Sequence, residues 1–203
     1  MKKIAGMMLL FLLLVASAFA QEEKNEKLPP LFKERRSGKV MFDAEQARRE
    51  ISNMRLAESN AIWAKWGEKP CPIFAFKDMD GKEWTNENIR GKVTLINFWH
   101  INCGPCIREM PWLNKLMEKY PQANFLGCTF NTPAQIKKLV AQTPFLYPQL
   151  TDEAIALWQA FGVELSPTTI ILDKEGKVFA VVTGVSDVLK RAIEAKLKEA
   201  NKE

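Results

Sequence analysis

At 203 residues, with 47% hydrophobic and 26% charged side chains, the chain suits one globular domain plus extensions and can bury a real core. That composition excludes a collagen-like, low-complexity or wholly disordered polymer, and four cysteines are too few for a disulfide-stapled miniprotein. The formal charge of +5 is a mild excess without the dense basic stripe that nucleic-acid binding requires.

In chain order, residues 1–20 read as a secretory signal peptide. Lys2 and Lys3 form a positive start, Met7 to Val15 a short apolar run, and Ala18-Phe19-Ala20 a small-residue cleavage site. The alternative is a membrane anchor, but the apolar run is short against the roughly 20 residues a span needs. No cysteine follows the run to carry a lipid. Cleavage removes two lysines and no acid, so the net charge falls by two to +3. An exported chain works where disulfides persist, so its cysteines are expected to do thiol–disulfide chemistry.

Residues 21–42 read as a flexible tether: charged, aperiodic, with Pro29-Pro30. The basic cluster Lys33, Arg35, Arg36 and Lys39 is interrupted by Glu34 and suits a solvated linker. Residues 43–67 form a helical extension, with Asp43 as cap and Ala47, Ile51, Met54, Ala57, Ala61 and Ile62 among the apolar residues at helical spacing. It packs on the main domain or recruits a partner. Lys69-Pro70-Cys71-Pro72 ends it, and residues 68–203 form the main domain.

Within that domain, Ile73 to Phe76 and a segment around Trp84, joined by an Asp80-Gly81 turn, give an N-terminal strand pair. Val93 to Trp99 is a buried strand, and a helix follows to Tyr120. A second buried strand covers Asn124 to Phe130. Helices are expected over Pro133–Gln142 and Asp152–Phe161, the latter ended by Gly162. Thr168–Leu172 and Lys177–Thr183 form an antiparallel strand pair, and Val185 to Ala200 a closing helix. The order implies an α/β fold with a mixed central sheet and helices on both faces.

Cys103-Gly104-Pro105-Cys106 falls where a buried strand gives way to a helix. A two-residue spacer in a first helical turn brings the sulfurs within bonding distance. The first thiol then meets the unpaired N–H groups and the positive end of the helix dipole, which favour the nucleophilic thiolate. The second lies one turn deeper and can attack a mixed disulfide formed by the first. Pro105 suits an early position that needs no N–H.

Asn97-Phe98-Trp99, the Cys103–Cys106 motif, Glu109-Met110-Pro111, Ser166-Pro167-Thr168-Thr169 and Leu172-Asp173 before Gly176-Lys177 together resemble the thioredoxin superfamily, most of all its exported TlpA/ResA-like branch. The resemblance spans roughly Pro70 to Leu197. It implies a thioredoxin-like three-layer sandwich, with Cys103 as surface nucleophile and Cys106 as resolving thiol, the two forming the redox-active disulfide. It further implies that Pro167 is a cis proline leaving its neighbour's backbone free for a client strand, that Pro111 kinks the active-site helix, and that Trp99, Gly104, Pro105 and Ser166 join Pro167 in binding the client. Glu109, three residues after Cys106, would tune the thiols or accept their protons. The competing reading is a solvent-exposed helix acid, although no cation stands three or four residues away.

Two positions depart from thioredoxins proper. Asn97 replaces their buried acid, and Asn102 replaces the tryptophan before the first cysteine, giving a smaller, more polar groove. His100, the only histidine, either stabilises a thiolate when charged or is an ordinary loop or core histidine. Cys71 and Cys128 are either a second bridge or two reduced thiols.

The expected activity is that of an exported, periplasmic protein-disulfide oxidoreductase. It would reduce clients such as apocytochrome c or metal-centre assembly proteins, be re-reduced by a membrane-bound thiol protein, and need no cofactor. The alternative is a metallochaperone holding copper(I) or zinc on Cys103 and Cys106, but no second C-x-x-C or histidine pair completes a four-ligand zinc site. A peroxidase would need its activated cysteine in a different local setting. A purely structural bridge closes too small a loop to stabilise much.

Overall fold

Strand β5 (Thr94–Phe98) is the axis of the molecule, and all five of its residues are buried. Its side chains alternate between two faces. Ile96 and Phe98 enter one apolar cluster. Leu95, with Trp99 just beyond the strand, enters the other. A strand covered on both sides reads as a continuous apolar run, which is why TLINF is legible in the sequence.

In this computed structural model, which describes residues 32–34 and 40–202, β5 pairs in parallel with β6 (Asn124–Cys128) and antiparallel with β8 (Thr168–Leu172). The sheet is completed by β7 (Gln149–Leu150) beside β6 and β9 (Val178–Thr183) beside β8, in the order β7-β6-β5-β8-β9. This is the expected mixed sheet, with helices supplying residues to both clusters. Ile62 of α1 (Ala44–Trp66) and Leu157, Trp158 and Phe161 of α4 (Ile155–Phe161) join Phe98. Met110, Leu113 and Leu116 of α2 (Gly104–Lys119) join Ile193 and Leu197 of α5 (Asp187–Ala200) around Leu95. Helix α3 (Pro133–Val140) adds Ile136.

Local chemistry fixes the helix ends. Thr132 and Gln135 form a capping box on α3 with Pro133 in its first turn. The Ser186 hydroxyl accepts the Leu189 N–H at the start of α5. Gly162 stops α4 at φ 78°, a left-handed conformation that favours glycine.

The N-terminal strand pair is present as β3 (Ala75–Lys77) and β4 (Glu83–Thr85), with Phe76 opposite Trp84. It starts two residues later than expected, because the Phe74 N–H is taken by the Asn86 side chain. Asp78 organises the hairpin turn, accepting N–H bonds from Asp80 and Lys82 and the indole N–H of Trp84. The helix expected over 152–161 is a short 3-10 turn (152–154) followed by α4. Strand β7 was not expected; two residues are too few to show a period.

The chain divides into two compact units, residues 1–51 and 52–203. The first contains a short antiparallel pair, β1 (Phe32–Glu34) with β2 (Val40–Phe42), inside the segment expected to be a tether. The expected signal peptide lies outside the described residues. Among the described residues, no helix is long and apolar enough to cross a membrane.

Candidate active site

The chain leaves β5 through a loop pinned at three points. The Trp99 N–H donates to the Cys128 carbonyl at 3.1 Å, the Ile101 N–H to the Asn131 side chain at 2.9 Å, and the Cys103 N–H to the His100 carbonyl at 3.0 Å. The loop delivers Cys103 in extended conformation as the N-cap of α2. There its sulfur accepts the Cys106 N–H at 3.1 Å, satisfying one of the first-turn donors. Gly104 opens the helix, Pro105 sits in its first turn, and Cys103 and Cys106 are joined as a disulfide. Helix α2 runs unbroken through Pro111.

The pair is more covered than an open surface thiol. Cys103 is 5% exposed and Cys106 1%. This corrects the expectation of a nucleophile lying free on the surface. Both cysteines belong to the apolar cluster that holds Leu95, Trp99 and Met110, while the flanking Asn102 and Gly104 remain exposed.

Glu109 is buried, not a solvent-facing helix acid. Its Oε1 accepts a hydrogen bond from the Asn97 amide at 2.8 Å, and Oε2 has no hydrogen-bond partner. Desolvation raises its pKa from 4.5 to about 7, against the opposing effects of the Asn97 bond and the positive charge of Lys190. The site thus keeps a buried acid, supplied by α2 one turn below Cys106, with Asn97 of β5 as its partner. Asn97 also reaches the Thr169 hydroxyl of β8 at 3.4 Å, so three elements meet around the carboxyl.

Trp99 requires a second correction: it cannot present a face to a client. It is fully buried, lies 4.5 Å from the Phe145 ring, and donates its indole N–H to Gln149 at 2.8 Å. The strand alternation that buries Leu95 carries on to residue 99 and turns its ring inward. His100 stacks on Phe130 at 5.5 Å, and burial lowers its pKa, which disfavours the charged form. Pro167 follows a cis peptide bond, as expected, and is buried, while Ser166 is half-buried. Cys71 and Cys128 are both free and buried. Burial pushes the Cys71 thiol up to about 12 and that of Cys128 well above its usual value.

Two polar groups, one beside Glu109 and one beside Trp99, escaped the sequence reading. Tyr147 is buried with an unpartnered hydroxyl, and its pKa is raised by desolvation and by the Glu109 charge. Gln149 receives the Trp99 indole and donates to the Tyr147 carbonyl at 2.8 Å. Their one visible signal is polar atoms within the mostly apolar Phe145–Leu150 stretch. Among the described residues, no group of three or more His, Cys, Asp or Glu side chains is placed to hold a metal ion.

Comparison with known proteins finds the AhpC/TSA family model matching residues 68–181. The thiol-disulfide oxidoreductase ResA of Geobacillus thermodenitrificans is 34% identical over 116 residues, covering 56% of this chain and 67% of that protein. ResA of Bacillus thuringiensis subsp. konkukian is 31% identical over 134 residues, covering 64% and 76%. A crystal structure from Chlorobium tepidum, provisionally named a thiol:disulfide interchange protein DsbE, superposes with a TM-score of 0.60 at 26% identity, covering 64% of this chain and 94% of that one.

Proposed function

The chain belongs to the AhpC/TSA family and is a thiol–disulfide oxidoreductase of thioredoxin-like fold; from that premise we propose that Cys103 and Cys106 are its redox pair and that it works as a reductase of client proteins. In the reduced protein the Cys103 thiolate attacks one sulfur of a client disulfide. That bond breaks, the client's other sulfur leaves as a thiolate, and a mixed disulfide forms. Glu109 takes the Cys106 proton, and the resulting thiolate attacks the Cys103 sulfur. The second client sulfur is released, and the protein returns to its Cys103–Cys106 disulfide. The client gains two electrons and the protein loses two.

The observation that carries this reading is the cap at the start of α2. The Cys103 sulfur accepts the Cys106 N–H at 3.1 Å, where the helix dipole favours negative charge. The buried Glu109, with a pKa of about 7, supports its assignment as the base, since a carboxyl poised near neutrality can both take and return a proton. Gly104, Pro105, Ser166 and Pro167 flank the pair in sequence or by family likeness and are assigned to client binding.

Residues 1–20 support export, with a periplasmic protein after cleavage and a membrane-anchored one if the segment is retained. Clients are then exported proteins with disulfides, such as apocytochrome c or metal-centre assembly proteins, and a membrane-bound thiol protein returns the electrons.

The test is insulin-disulfide reduction by cysteine variants. Cys103→Ser abolishes turnover, whereas Cys106→Ser still attacks and accumulates mixed disulfides. Full activity in Cys103→Ser removes the nucleophile assignment. Alkylation trapping in cells reads the direction: a pair held mostly reduced marks a reductase, and one held mostly oxidised overturns that part of the proposal.

A further inference from the structure

We propose that Glu58, on the helical extension α1 and outside the stretch matched by the family model, is a positioning residue that holds the Glu164–Pro167 loop in the conformation a client strand requires. The inference rests on the reading of Cys103–Cys106 as the reacting pair and of Ser166–Pro167 as the client's docking strip.

Three contacts tie one face of α1 to both flanks of Pro167. Glu58 accepts the Glu164 N–H on Oε1 at 3.2 Å and the Leu165 N–H on both oxygens, at 3.1 and 3.0 Å. At the next residue, one turn after Arg55, the Ser59 hydroxyl accepts the Thr183 N–H at 2.9 Å. Thr183 is the β9 residue opposite Thr168, which directly follows Pro167. Beyond it, Gly184 donates its N–H to the Pro167 carbonyl at 2.6 Å. The Arg55 side chain lies so near that a Cβ on Gly184 would come within 2.7 Å of it. Arg55, Glu58, Ser59 and the buried Ile62 recur at helical spacing, so a single face of α1 makes all of these contacts.

Residues 164 and 165 precede β8 and have no ladder partner for their N–H groups. A carboxylate satisfies both with charge-assisted bonds, which are stronger than neutral ones. From the other side the Thr168 hydroxyl reaches the Leu165 carbonyl at 2.9 Å. The Ser166 N–H donates to no group among the described residues, and Pro167 has none to donate. One free N–H on a clamped backbone suits pairing with an extended peptide segment, whose ordering cost falls when the receiving strand is already fixed. Glu58 is half-buried, and the two amide bonds oppose the desolvation that raises its pKa, as expected of a carboxylate with a structural duty.

The experiment compares steady-state reduction of insulin, a protein client, with reduction of Ellman's reagent, a small disulfide that needs no strand pairing. The wild-type chain is set beside Glu58→Ala, Glu58→Asp and Glu58→Gln. In Glu58→Ala, which leaves both amides without their acceptor, and in Glu58→Asp, which no longer reaches them, KM for insulin rises about tenfold or more, with kcat held within about twofold. The rate with Ellman's reagent and the redox potential of the pair do not move. Glu58→Gln keeps an oxygen that both amides can share and returns KM toward the wild-type value. Should Glu58→Ala fail to fold, Glu58→Asp, which shortens the reach but keeps the charge, gives the same reading. An unchanged KM for insulin in the folded variants, or an equal loss with both substrates, overturns the proposal. A wild-type chain that reduces neither substrate instead overturns the functional reading beneath it, and this proposal with it.

Discussion

Burial moves the Glu109 carboxyl from 4.5 to about 7, and stability must follow that shift. Between those values the folded chain holds a proton at Glu109 that the unfolded chain has released. Stability therefore falls as pH rises through the window, reaching a cost of about 3 kcal/mol above it. Glu109→Gln removes this slope, which denaturant midpoints at pH 5 and pH 8 will show: the wild type weakens between them from this source and the variant does not. In turnover, the same substitution slows release of the mixed disulfide and flattens its pH dependence near neutrality. An unchanged pH–rate profile would leave Glu109 a structural acid. The spacing from Cys106 places this residue on the cysteine's side of the helix and the family resemblance gives it a role, but its environment depends on Asn97 from β5 and on Lys190 from α5, which lie 12 residues before it and 81 after it. Trp99 shows the opposite limit. The family resemblance implies a client contact for it, and strand alternation turns it into the core.

At the scale of elements, the Gln149 side chain of β7 lies over position 127 of β6, in the space a side chain there would occupy. A Cβ there would overlap the side-chain amide of Gln149. That amide holds the Trp99 indole and the Tyr147 carbonyl, so the space at Gly127 supports the floor of the cysteine loop. Gly127→Ala forces Gln149 aside and loses the indole bond. Overpacking of this kind destabilises by about 1–3 kcal/mol, readable as a lower denaturant midpoint together with altered Trp99 fluorescence. The sequence offers a glycine in an apolar run and nothing about its neighbour, because β7 is a two-residue strand with no periodicity of its own. Helix α2 is the reverse case. Its N-cap, its first-turn proline and its buried face of Cys106, Glu109, Met110, Leu113 and Leu116 are all written at fixed local spacing.

Across the whole molecule, the four cysteines separate into two chemical classes by depth and position. Cys103 and Cys106 meet at the start of a helix, while Cys71 and Cys128 stay reduced inside the other apolar cluster. The oxidised native protein is expected to give no reaction with a thiol reagent. Unfolding without reductant exposes the two thiols of Cys71 and Cys128, and only added reductant releases the other two. A zero count after unfolding would mean that Cys71 and Cys128 are bridged. The linear order of residues was sufficient for the strand–helix junction, the redox motif and the mixed sheet, since each depends on interactions within a few residues or on an unbroken apolar run. Folding in three dimensions alone decided the protonation of Glu109, the inward turn of Trp99, the reduced state of Cys71 and Cys128, and the grip of α1 on the Pro167 loop. Desolvation and long-range hydrogen bonds arise only when segments as much as a hundred residues apart come to exclude water from one another.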